Sequence, residues 1–229
     1  MEIRRSQSEA GRAASGSGAG VVRFPGWLRA AFWICIVIAV AAVVRRMVAL
    51  VRATGEGAPP QLSNLDAWFR AHAILTWVHI SVALTFVVLL PVVFRQRAGG
   101  SGVVQRAFFI LGAITGVTAY GMSRYAVGGW VERSAVLVFD TLFLASLARA
   151  YVMRREGDAA GQRLWMIRAV AVLLGIATTR PVMGAFFATQ GISHLTPDKF
   201  FGIAFWIGFS INTIVIELWL RSAGRRIQT

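Results

Sequence analysis

Ionisable side chains interrupt apolar stretches of this chain at His72, His79, Asp140, Arg168, Arg180 and Glu217. In a bilayer each charge costs at least ~2.5 kcal/mol even on the most lenient insertion scale, so it must find a partner, water or a bound molecule. The chemistry open to these residue types is ion pairing, proton handling and the holding of a ligand's polar group. Depth along the stretches sorts them into two levels: His72, His79, Asp140 and Arg180 at one, and Arg106, Arg168, Asn212 and Glu217 at the other. We expect Asp140 to pair with Arg180, and Glu217 with Arg168 or Arg106. Two readings stand level, buried ion pairs that fix helix register or a polar cavity that binds a ligand.

Haem is the sharpest form of the second reading, because membrane haem proteins hold iron between histidines and use arginines for the propionates. The chain has three histidines, His72, His79 and His194. The first two stand seven residues apart, about 10 Å along one helix, and cannot clamp one iron from opposite sides. A lone axial His79 or a bridge from His72 to His194 keeps haem open, but His-centred hydrogen bonding or a quinone-like ligand is favoured over metal. Cys35 is the only cysteine, so no internal disulfide and no cysteine-based zinc site can form. No metal site is expected. GxSxG, Walker A and HExxH motifs are absent from the sequence. Pro181 follows Arg180 directly and is expected to kink its helix and free backbone carbonyls, which makes the Arg180 region the best candidate for a ligand cavity.

The scaffold for these residues is legible in the composition. Hydrophobic residues make up 56% of the 229-residue chain, more than a water-soluble domain of this length carries, so the fold class is an all-α polytopic transmembrane bundle. Six apolar stretches reach the ~20 residues a bilayer core requires, at about Trp27 to Leu50, Leu65 to Phe94, Val103 to Ala126, Val131 to Met153, Leu164 to Ala188 and Lys199 to Leu220. Residues 1–26, rich in Gly, Ser, Ala and Arg, read as a flexible basic tail, and 27–229 as one helical domain. The first stretch is expected to be retained rather than cleaved as a signal peptide. Connections at 95–102, 126–130 and 154–163 are short and favour antiparallel neighbours, whereas 51–64 is a longer loop ending at a cap, Asn64.

A formal net charge of +14 could suggest nucleic acid, but Lys199 is the only lysine among 24 basic residues and the arginines collect at stretch ends. Membrane topology accounts for them and no nucleic-acid partner is expected. Arg4, Arg5, Arg12, Arg23, Arg95, Arg97, Arg154, Arg155, Arg163, Arg221, Arg225 and Arg226 then share one side, which places both termini in the cytoplasm. Arg45, Arg46 and Arg52 conflict with that rule at the far end of the first stretch. Gly112 and Gly116 form a small-residue packing pair, and Trp27, Trp68, Trp130, Trp165 and Trp219 are interfacial anchors.

A group of residues resembles a known family: His79 in the second stretch, Gln105 and Arg106 opening the third, GlnArgLeuTrpMetIleArg at 162–168 opening the fifth, Arg180 a little over three turns later, and Trp206, Asn212 and Glu217 in the last. Together they resemble the bacterial predicted membrane proteins of domain of unknown function 2306, over roughly residues 65 to 221. The resemblance implies a multi-helix inner-membrane protein without an established activity. That family commonly has His where this chain has Gln105 and Gln162, so it implies no histidine-dependent chemistry at those positions here. Two function classes follow. One is a protein whose His79, Asp140 and Arg180 line a cavity for a quinone, a lipid-like molecule or haem. The other is a non-catalytic accessory subunit that docks to a larger membrane complex or to copies of itself.

Overall fold

The computed structural model describes residues 24–51, 69–95 and 102–225. Six helices carry these residues: α1 (Gly26–Val51), α2 (Ala73–Arg95), α3 (Gly102–Ser123), α4 (Gly129–Arg155), α5 (Ala159–Ser193) and α6 (Pro197–Arg225). Each is long and apolar enough to cross a membrane, as backbone groups in hydrocarbon must bond within their own segment. The chain is a multi-pass helical membrane protein. The expected tail over residues 1–23, the Asn64 cap with the start of the second stretch, and the centre of the 95–102 connection lie outside the described residues.

Local chemistry sets the helix ends. Asp158 caps α5 by accepting from the Gly161 N–H at 2.8 Å, and Gly157 takes a left-handed φ of 79° in the turn before it. At the other end His194 adopts φ 52°, and its N–H closes onto the Gln190 carbonyl. α5 remains helical through Pro181, although the ring deprives the Ala177 carbonyl of its donor. α2 begins later than expected, at Ala73, with His72 in the turn before it.

Sequential helices pack antiparallel. Gly112 and Gly116 of α3 face α4, where an added Cβ would lie 2.9 Å from Leu147 and 2.5 Å from Leu144 respectively. The pair therefore does the packing expected of it. α5 has its most extensive contacts with α4 and α6, while α1 packs on α2 and α5. Helices α1 to α5 thus form a ring, and α6 lies against α4 and α5. A main core around Phe86, Leu90, Phe108 and Phe143 fills the middle. Smaller clusters sit towards the two ends, around Phe200 and Phe201 and around Ile167 and Ile216.

Candidate functional site

All six helices line one cavity of about 460 Å³. It runs from mid-bundle, at Val87, Phe143 and Phe209, towards the end opposite the chain termini, at Tyr125, Phe187 and Phe201. Its wall is mainly apolar, and the polar groups set into it are few: His79 of α2, Glu132 and Asp140 of α4, Arg180 of α5, Arg45 and Arg46 of α1, and several hydroxyls. A concave apolar space of roughly 300–1,000 Å³ with a handful of polar groups is the usual form of a small-molecule site.

The expected Asp140 to Arg180 ion pair is not made. Arg180 Nε is buried without a hydrogen-bond partner, and its guanidinium finds only the Met183 sulfur, 3.8 Å from Nη1. Asp140 Oδ2 is likewise buried and unpartnered. Glu132 and Arg45 line the same cavity as Arg180. Glu132 is itself committed elsewhere, accepting from the Gly128 N–H at 2.6 Å where the chain turns from α3 into α4. Asp140 lies eight residues further along α4, about 12 Å deeper than Glu132. The failure has a physical cause: the acid at Arg180's end of the cavity is a helix-start carboxylate and not the mid-helix one.

His79 lines the same cavity and its Nδ1 lies 2.8 Å from Thr118 Oγ1. The Thr118 hydroxyl also lies 2.7 Å from the Ile114 carbonyl and 3.0 Å from the Thr115 carbonyl, which ties the His79 ring to α3 through one hydroxyl. His72 stacks on Tyr125 with ring centroids 3.7 Å apart, and His194 is exposed at the cap of α5. These settings do not present two imidazoles to one iron. Among the described residues no cluster of three His, Cys, Asp or Glu side chains could hold a metal ion.

The other level of charge is built differently. Arg168 Nε donates to Glu217 Oε1 at 2.5 Å, Nη2 reaches Oε2 at 3.4 Å, and the guanidinium lies over the Trp165 ring at 4.5 Å. This bears out one of the two partners expected for Glu217, whereas Arg106 is exposed. Nearby, Gln162 donates to Gln105 at 3.3 Å, joining α5 to α3. Between the levels, Thr178 donates to Asn212 at 2.7 Å, and Asn212 donates to the Ala171 carbonyl at 3.3 Å, tying α5 to α6. His79, Asp140 and Arg180 are therefore brought to one cavity, and Arg168 with Glu217 forms a separate pair.

A family model described as a predicted membrane protein, domain of unknown function 2306, matches residues 76–220, more than half of the chain. The chain belongs to that family. No curated protein and no solved structure matches it significantly. The domain of unknown function 2306 match covers α2 to α6 and leaves α1 outside. Yet α1 supplies Arg45 and Arg46 to the cavity wall, with the Arg46 guanidinium 4.0 Å above the Phe69 ring. Sequence reasoning missed Glu132 as well; its signal was an acid in the first turn of a helix that follows a Gly-Gly turn.

Proposed function

We propose that this protein binds a small membrane-soluble amphiphile, such as a quinone or a lipid-like molecule, in the polar cavity between its helices. One observation carries the reading: Arg180 and Asp140 both line the same largely apolar space, and each keeps a buried side-chain atom, Nε and Oδ2, without a protein partner. Leaving such groups short of partners costs about 1–3 kcal/mol each, more for charged groups, and a ligand whose polar group met either side chain would offset part of it. His79 lines the same space. The imidazole settings favour an organic ligand over haem. The arginines at the end where the chain terminates support cytoplasmic termini in a bacterial inner membrane.

The test is mass spectrometry of small molecules retained by protein purified in mild detergent, compared with an Ala119→Phe variant that fills the cavity. A single species held near one per chain by the parent and lost from the folded variant supports the reading. Equal retention by both proteins, or none by either after saturation with quinones and single-chain amphiphiles, overturns it.

A further inference from the structure

We infer that the molecule taken by this cavity carries an anionic head group, a carboxylate or a phosphate on an apolar chain, and that Arg180 is the residue that selects for it; this rests on the ligand-binding reading above. Arg180 lines the cavity, and the described carboxylates in the same wall are Glu132 and Asp140. Glu132 spends an oxygen on the Gly128 backbone, and Asp140 stands about 12 Å deeper along α4 than Glu132. Among the described residues no carboxylate comes within ion-pair distance of Arg180, whose one hydrogen bond runs to a thioether, a weak acceptor. A buried guanidinium in that state has donors to spare in a fixed planar fork, the geometry that matches a carboxylate or phosphate.

Polarity along the cavity then orients the molecule. Beyond Arg180 the wall is mainly aromatic and aliphatic, with Asp140 and His79 set into it: Phe139 stacks on Phe209 with centroids 5.2 Å apart, and Phe143 and Val87 close the inner end. An acidic head at Arg180 and a hydrocarbon chain directed towards Phe143 match the cation and the apolar part of the wall at once. A neutral quinone ring offers carbonyl acceptors but no charge to balance the guanidinium, so the anionic class is favoured over the neutral one.

Equilibrium binding to the purified, delipidated full chain tests this with five probes, four of equal chain length (dodecanoic acid, its methyl ester, dodecanol and dodecyl phosphate) and a short-chain ubiquinone. The expected result is that the acid or the phosphate binds at least tenfold tighter than the ester and alcohol, with the tighter of the two identifying the head group. Arg180→Gln should abolish that preference while the alcohol still binds, and Arg180→Lys should retain part of it. Equal affinity for the acid, the phosphate, the ester and the alcohol overturns the anionic assignment yet leaves the amphiphile cavity standing, as does preferential binding of the quinone. Saturable binding of none of the five removes both. Should the Arg180 variants fail to fold, the comparison of the acid and the phosphate with the ester and the alcohol on the unaltered protein still decides.

Discussion

Two charged levels cross this bundle, and they answer the same electrostatic problem in opposite ways. Towards the end that holds the termini, Arg168 and Glu217 neutralise one another at 2.5 Å, with Trp165 beneath the guanidinium. At the opposite end Arg180 and Asp140 border one cavity and do not pair. A closed pair explains itself as architecture, since it fixes the register of α5 against α6. An open one does not, because an uncompensated buried charge is expensive, and the space beside it is where the compensating group belongs. The lesson is that a charged residue in a membrane helix reports function less by being there than by lacking a protein partner.

This contrast can be broken in several ways. The largest effect is expected from Glu217→Leu, which strands the half-buried Arg168 and should cost about 1.5–3 kcal/mol in detergent unfolding, whereas the double variant with Arg168→Met should recover most of that. Gly208→Leu comes next. A Cβ at Gly208 would stand 2.6 Å from the Thr179 backbone nitrogen, so α6 must move off α5, at about 1–3 kcal/mol by the same measurement. Thr178→Val removes one hydrogen bond from Asn212 and should cost about 1 kcal/mol. The smallest effect belongs to Arg180→Met, expected to leave unfolding of the ligand-free protein within about 1 kcal/mol or to stabilise it, as no protein partner is lost. A loss as large as that of Glu217→Leu would erase the distinction between the two levels.

The helices themselves were readable from sequence because the bilayer demands long apolar runs, and the structure extends those runs by a few residues at most ends. The inner ion pair was readable too, as one of two partners for Glu217. What escaped was azimuth. Depth along a helix follows from counting residues, but the direction a side chain faces turns by about a quarter circle at each step, and helix rotation is set by packing. Level and charge alone match Asp140 to Arg180, whereas the structure leaves both without that partner and adds Glu132, which reads from sequence as the edge of a stretch, to the cavity wall. Arg45 and Arg46 were weighed as topology signals for the same reason, since nothing local in α1 announces that they line a cavity.

The length of α5 gives a ruler for the whole bundle. Its 35 residues span about 52 Å, against a hydrocarbon thickness of about 30 Å, so one or both ends stand clear of the oily layer. Counting from Arg163, near which the layer begins if Trp165 marks the interface, Arg180 comes about 25 Å later, close to where the opposite leaflet meets its phosphates. The cavity therefore occupies the depth of that one leaflet, with its cation at the polar boundary and its aromatic floor near the midplane. A molecule seated there with its polar end at Arg180 would lie in the same posture as the lipids of that leaflet.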